Sequence, residues 1–148
     1  MKTYQTTFPE LTIKKNKSDF AQVKIKLSSD AANVMRQFYF DDIEIFESFF
    51  ILLLNRANNT IGYVKISQGG CISTVVDVKL IAKYALDSLA QGVILCHNHP
   101  SGNLQPSDGD KSMTDKIKQV LDLFQCNVLD HIILTKEGYY SFADEGLL

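Results

Sequence analysis

The sequence predicts a layered α/β domain built on a mixed sheet, and three observations predict it. Apolar runs of strand length alternate with segments whose apolar residues recur at helical spacing. Two pairs of strand-like runs are joined by short turns, which puts antiparallel hairpins in the sheet. A strand–helix–strand–helix run in the second half calls for crossover connections. The 148 residues suffice for one domain with one core and are too few for two of ordinary size.

The elements read in order as follows. "AQVKIKLSS", residues 21–29, alternates polar and apolar and predicts a strand with one wet face. "SSDAANVMRQFYF" predicts a helix with Ser28 or Ser29 as its N-cap. "ESFFILLLN" is a continuous apolar strand, buried on both faces. Residues 56–59 make an Asn-rich turn, and "TIGYVKIS" returns as the second arm of a hairpin that ends at Gln68-Gly69-Gly70. From Asp77, the expected N-cap by residue type, "DVKLIAKYALDSLA" carries apolar residues at helical recurrence. Gly92 is expected to end that helix, and "VILC" to be a short buried strand. "DKSMTDKIKQVLDLF" is again helical, while "NVLDHIILT" and "YYSFA" close the chain as strands around a turn at Glu137-Gly138.

Composition narrows the function classes. With 45% hydrophobic and 22% charged residues the chain is an ordinary globular protein rather than a disordered one. A net charge of -2 gives the whole molecule no electrostatic reason to seek phosphate backbones. Residues 1–26 are a local exception, with Lys2, Lys14, Lys15, Lys17, Lys24 and Lys26 against Glu10 and Asp19. Without a nucleic-acid motif, a solvated, partly mobile end is the better reading of that cluster than a nucleic-acid arm. Cys71, Cys96 and Cys126 form no CxxC and no repeating spacing, so they read as small buried hydrophobes rather than a disulfide framework. The start of the chain lacks a signal-peptide core, and "FFILLL" is far too short to cross a bilayer, so a cytoplasmic location is expected.

The stretch "CHNHPSGNLQPSDGD", residues 96–110, carries the chemistry. It follows a buried strand and precedes a helix, the position outside a strand's carboxyl end where ligands sit in open α/β sheets. His97 and His99 are two residues apart at the strand's end and share one face, so both imidazoles can reach one point. Pro100 stops strand pairing, Ser101-Gly102-Asn103 suits a turn, and Asp110 falls in the first turn of the next helix. Two histidines and a carboxylate suit a catalytic zinc, which keeps one position for water. Zinc held at about 2.0–2.2 Å lowers the pKa of that water to about 7. Such a reaction also needs a general base and a donor for the developing oxyanion. Each residue has a plainer reading. A single loop histidine is usually a polar turn residue, and Ser107-x-x-Asp110 resembles a helix capping box. The plain readings are independent of one another, whereas the metal reading accounts for all four residues together.

His97-x-His99, seven residues, Ser107, two residues and Asp110 match the JAMM motif of MPN/JAB-domain metalloproteases. The fuller "HNHPSG…PS..D", with "ESFFILLLN", "VVD", "VLDHIIL" and "GYYSFADEG", resembles the RadC branch of bacterial JAB proteins from about Phe46 to the end. The resemblance implies a three-layer α-β-α fold of the cytidine-deaminase-like (JAB/MPN) type, with a zinc site at one edge of the sheet. It implies that His97, His99 and Asp110 are ligands of Zn2+ and that Ser107 helps stabilise the oxyanion. The family's upstream glutamate has four candidates here, Asp41, Asp42, Glu44 and Glu47, and Glu47 matches because it opens the long apolar strand. On physical grounds alone, Glu47 is equally well a solvated first strand residue. A carboxylate beside a buried strand is expected to titrate high. Residues 46–148 are thus expected to form the RadC-like JAB domain, and residues 1–45 an N-terminal strand/helix segment, either part of the same domain or partly mobile. Full-length RadC proteins carry an amino-terminal helix-hairpin-helix region that does not occur in these residues.

The function expected is a zinc-dependent hydrolase of peptide or isopeptide bonds, with a protein or peptide as substrate. The alternative is a RadC-type protein associated with DNA repair, acting on or near DNA. The literal "HNH" of residues 97–99 does not make an HNH nuclease, whose three residues are spread across a ββα unit. A non-catalytic MPN scaffold would lack the ligands kept here, and a zinc deaminase would carry HxE…PCxxC. His131, in "LDHIIL", reads as a hydrogen-bonded core residue placed where it could steady a ligand from behind, and is not assigned to the metal.

Overall fold

The computed structural model describes residues 9–69 and 75–148. Helix α1 (Ser28–Arg36) comes first, followed by strands β1 (Ser48–Leu54) and β2 (Thr60–Gln68). Then come α2 (Val78–Asp87), β3 (Gly92–Asn98), α3 (Asp108–Asp122), β4 (Asn127–Leu134) and β5 (Tyr139–Ser141). The strands form one sheet in the order β2-β1-β3-β4-β5. β1 pairs antiparallel with both β2 and β3, β3 pairs parallel with β4 across the α3 crossover, and β5 returns antiparallel on β4. The sheet is therefore mixed, as the hairpins require.

The alternation of side chains along β1 explains why the whole strand is apolar. Phe50, Leu52 and Leu54 face α1, where they meet Ala31, Ala32 and Met35 together with Ile94, Cys96 and Ile132. Phe49, Ile51 and Leu53 face the other way, against Ile81 and Ala85 of α2 and Ile117 and Leu121 of α3. One helix covers one face of the sheet and two cover the other, which gives the three-layer α-β-α sandwich of a JAB/MPN-type fold. All seven residues of β1 and all seven of β3 are buried. Each large side chain withdrawn from water there contributes about 1.5–3 kcal/mol.

Local chemistry explains most element ends. The Asp77 carboxylate accepts from Lys79 N at 2.9 Å and caps α2 as its residue type suggests. In the β1–β2 turn the Asn55 side chain accepts from Ala57 N and Asn59 N, both at 3.0 Å, and Asn58 takes the left-handed φ of 60° that asparagine tolerates. Cys96 and Cys126 are free and buried, whereas Cys71 lies outside the described residues. Among the described residues no helix is long and apolar enough to cross a membrane.

Three expectations are corrected. Residues 21–29 are not a strand. Lys24 forms an isolated bridge with Asn59, and the helix already begins at Ser28. The alternation is real, since Ile25 is buried between exposed neighbours, but its backbone bonds go to the β1–β2 turn and the first residue of β2 through Ile25 N→Asn58 O and Thr60 N→Val23 O. Neither Ser28 nor Ser29 is the N-cap of α1. Leu27 holds that position, and the Asp30 carboxylate accepts from Lys26 N and Leu27 N, both at 2.9 Å. Gly92 does not end α2. The chain turns at Leu89 (φ 53°) after Ser88 donates to the Tyr84 carbonyl, and Gly92 instead opens β3. A Cβ on Gly92 would lie 2.7 Å from Leu129 Cδ1, so this glycine permits the close approach of β4.

Candidate metal centre

β3 reaches further than "VILC", through Asn98, and so carries His97 on a rigid, fully buried strand opposite Phe49 of β1 and Ile133 of β4. His99 lies just past the strand end, with its backbone N–H donating to Leu134 O at 2.9 Å. The strand's period of two brings both imidazoles to one point, with His97 Nε2 and His99 Nε2 2.9 Å apart. Asp110 arrives from α3. Its Oδ1 lies 3.3 Å from His97 Nε2 and its Oδ2 3.4 Å from His99 Nε2. The three residues can thus offer one ligand atom each within 4.8 Å of one another.

The capping reading of Ser107 and Asp110 holds as well. Ser107 is the N-cap of α3, its Oγ accepts from Asp110 N at 3.0 Å, and Asp110 Oδ2 accepts from Ser107 N at 2.8 Å. The cap and the cluster are one device, because the bonds that start the helix also fix the carboxylate against the histidines. The Ser107 hydroxyl acts in this cap as an acceptor, so its hydrogen remains for another partner.

The side chain of each histidine is oriented from behind. His99 Nδ1 lies 2.6 Å from the Asn103 carbonyl, which can only accept, so Nδ1 carries the hydrogen and Nε2 presents a lone pair. His97 Nδ1 lies 2.8 Å from Nε2 of His131, a ring fully buried on β4. Burial pushes the His131 imidazole well below its ordinary pKa, with the charges on His97 and His99 acting in the same direction and Asp110 opposing them. Phe49 lies parallel to His97 with ring centroids 6.0 Å apart, and Phe142 stacks on His131 at 4.6 Å. These rings make an apolar wall against the imidazole layer.

The electrostatics favour a cation at this point. Burial opposes ionisation of Asp110, but the imidazoles of His97 and His99 outweigh it and, with the Ser107 N–H, hold the carboxyl well below the usual carboxylate range. Burial lowers the pKa of His99, yet Asp110 and the Asn103 carbonyl raise it further than burial lowers it. The donor set, two imidazole nitrogens and a carboxylate oxygen, is of the kind that holds a divalent transition metal such as zinc.

Of the four candidate acids, Glu47 comes to the site. It immediately precedes β1, is half-buried, and lies two residues before Phe49, which pairs with His97. Burial pushes its carboxyl up, Asp110 adds to this, and His97 and His99 oppose it. Glu44 is instead engaged at the surface with Lys136 Nζ at 3.1 Å, and Asp41 is exposed. Asp42 contributes its backbone carbonyl to Ile45 N and Phe46 N.

Two contributors were not legible as site residues. Asn98, between the histidines, points away from them. Its Nδ2 donates to the carbonyls of Ile43 and Phe46, both at 2.7 Å, and its Oδ1 accepts from Ser48 N at 2.8 Å, which pins both flanks of Glu47. Thr114, buried one helical turn after Asp110, touches His131. The i, i+4 spacing from Asp110 to Thr114 was the available signal, since it puts both on one helix face.

A three-layer α/β sandwich with a His-x-His at the end of a central strand and an aspartate in the first turn of the next helix defines a JAB-type domain with a candidate metal centre. Comparison with known proteins agrees: a family described as the RadC-like JAB domain matches residues 25–147, and the chain belongs to that family. Among its relatives, a UPF0758 protein of Flavobacterium johnsoniae is 44% identical over 124 residues, covering 84% of this chain and 53% of its own length. A UPF0758 protein of Porphyromonas gingivalis is 42% identical over 103 residues, 69% of this chain and 45% of its own. The UPF0758 protein YfjY of Escherichia coli is 42% identical over 102 residues, 69% of this chain and 64% of its own. The chain spans about half the length of the first two, and these names state no activity.

Proposed function

We propose that the protein is a zinc-dependent hydrolase of the JAMM type that cleaves peptide or isopeptide bonds. His97, His99 and Asp110 hold the metal, Glu47 is the general base, and Ser107 is a donor to the oxyanion. The observation that carries this reading is the donor set. Two Nε2 atoms 2.9 Å apart face each other beside a carboxylate, with each Nδ1 engaged from behind. Facing lone pairs repel unless a positive charge relieves them, a proton on one ring or a metal ion against both, and a metal ion engages the two nitrogens and the otherwise costly buried carboxylate together. When bound, zinc supplies a Lewis acid and a water acidic enough to attack at neutral pH.

The chain's own residues do the rest. Glu47, whose carboxyl burial pushes toward neutrality, takes the proton of the attacking water and delivers it to the leaving amine. The Ser107 hydroxyl donates to the carbonyl oxygen as negative charge develops there. Phe49 and Phe142 limit water behind the imidazoles. Membership of the JAB family supports the reading at the level of the domain. The substrate is proposed only as a protein or peptide.

The test combines metal analysis of the purified protein with cleavage of a panel of peptide and ε-linked isopeptide substrates. The expected result is about one zinc per chain, activity abolished by chelators and restored by zinc, and Glu47→Gln inactive with its zinc retained. A metal-free preparation that is active and indifferent to chelators overturns the proposal. So does a protein that takes up no zinc and instead binds DNA with a steep salt dependence.

A further inference from the structure

His131 and Thr114 lie behind the histidines, and the direction of every hydrogen in their chain of contacts can be read from the atoms present. The Thr114 hydroxyl lies 2.6 Å from the Asp110 backbone carbonyl, which can only accept, so its single hydrogen points there. The same oxygen lies 2.6 Å from His131 Nδ1 and must therefore accept, which puts the His131 hydrogen on Nδ1. His131 Nε2 is then a bare lone pair, 2.8 Å from His97 Nδ1, so the His97 hydrogen sits on Nδ1. His97 Nε2 is left as a lone pair facing His99 and Asp110. The relay begins at one ligand and ends on the backbone of another, crossing from β3 through β4 to α3.

We propose that His131 and Thr114 are positioning residues: they lock His97 in the tautomer whose Nε2 lone pair is turned to the metal, and they tie the His97 strand to the Asp110 helix. The proposal rests on the metal reading given above and adds the residues that set its ligand state. The two rings are fully or almost fully buried, and Thr114 is 1% exposed, so water cannot substitute for either partner. Without the threonine hydroxyl, His131 Nδ1–H has no acceptor. His131 then moves its hydrogen to Nε2, His97 must accept at Nδ1, and the His97 hydrogen lands on Nε2, where it blocks the metal.

The relay is tested with Thr114→Val, which removes the hydroxyl at nearly constant shape, and Thr114→Ser, which restores it. Circular dichroism and thermal melting establish that each variant is folded. Long-range 15N–1H correlation spectra of the metal-free protein, in buffer alkaline enough to neutralise the imidazoles, report which nitrogen of His97 carries the hydrogen. Competition with a chromophoric chelator gives the zinc Kd. The expected result is Nδ1–H on His97 in the native protein and in Thr114→Ser, and Nε2–H in Thr114→Val. Zinc affinity falls about 10–100-fold in Thr114→Val and is restored by Thr114→Ser. An Nε2–H on His97 of the native protein overturns the proposal, as does a Thr114→Val variant with native tautomer and native Kd. Equal weakening in Thr114→Val and Thr114→Ser also overturns it, since a shape effect would then account for both. If the native protein binds no zinc, the metal reading fails, while the tautomer spectra still decide the relay.

Discussion

Asp110 is part of the cap and part of the cluster, and Asp110→Asn separates the two roles. An asparagine oxygen can still accept from Ser107 N at the 2.8 Å position that Asp110 Oδ2 occupies, so the cap survives without its charge. The loss to the metal-free protein is the charge at the first helical turn, about 0.3–1 kcal/mol, together with the attraction to the two imidazoles that depresses the carboxyl's pKa. Ser107→Ala removes the other half of the cap at about 1 kcal/mol. For a chain of this length each kcal/mol shifts Tm by about 2–4 °C, so metal-free Ser107→Ala melts within a few degrees of the native protein and metal-free Asp110→Asn melts lower. Zinc distinguishes them. At a concentration about 100-fold above the native Kd the native protein gains about 2.7 kcal/mol, or about 5–11 °C. Removing an oxygen ligand weakens binding by about 100-fold or more, beyond the cost of losing a ligand's outer support. Asp110→Asn then gains about 0.4 kcal/mol or less at the same zinc concentration, under about 2 °C. Ser107→Ala keeps nearly the full native shift. Differential scanning calorimetry with and without zinc reads all three. If Asp110→Asn shows the native zinc shift, the carboxylate is a cap alone and the metal reasoning is wrong. The pH dependence has a definite sign: because the folded-state pKa of Asp110 is depressed, its charge contributes stability above the ordinary carboxylate value of about 3.9, and the contribution is lost as pH falls through the depressed value. The metal-free stability gap between native and Asp110→Asn therefore closes only in strong acid.

Glu47→Gln is expected to retain zinc, to leave the metal-free Tm unlowered because burial disfavours the charge it removes, and to reduce turnover about 100-fold to 10,000-fold in a cleavage assay. His99 has a raised folded-state pKa, so its protonated form contributes stability below about 6.5 that is lost as pH rises through the folded value. Zinc displaces that proton, and the apparent zinc affinity measured by chelator competition falls as pH drops through the histidine range. Asn98→Ala strips partners from two carbonyls and one N–H around Glu47, at about 1–3 kcal/mol for each that stays dry. It is expected to lower Tm sharply, and a zinc Kd near native in the folded fraction would confine its effect to the Glu47 segment.

Much of this was legible in the sequence because the relevant signals are local. The period of two put His97 and His99 on one side, and the Ser107-x-x-Asp110 pattern marked a helix start at the right residues. β1 was recognisable from its unbroken apolar run, and helices on both sides of the sheet explain why no residue in it is polar except Ser48, which opens the strand. Failures came where tertiary contacts replaced local preference. Residues 21–29 alternate like a strand, yet their partner is a turn and the first residue of β2. Gly92 looked like a helix terminator, but its task is set by Leu129, a residue 37 positions later. His131 was legible as a hydrogen-bonded core residue able to support the site from behind, but its partners were not, because they come from β3 and α3 and no spacing in the chain joins them.

The relay behind His97 also has a consequence for biosynthesis. His131 follows His97 by 34 residues, so at a synthesis rate of about 5–20 residues per second the ribosome releases the supporting imidazole about 2–7 s after the ligand it steadies. During that interval β3 has no parallel neighbour and its histidines have no fixed hydrogen pattern. On the proposed metal reading, capture of the ion becomes a late step in the birth of the protein, set by the closing of β4 against β3 rather than by the first appearance of the two histidines.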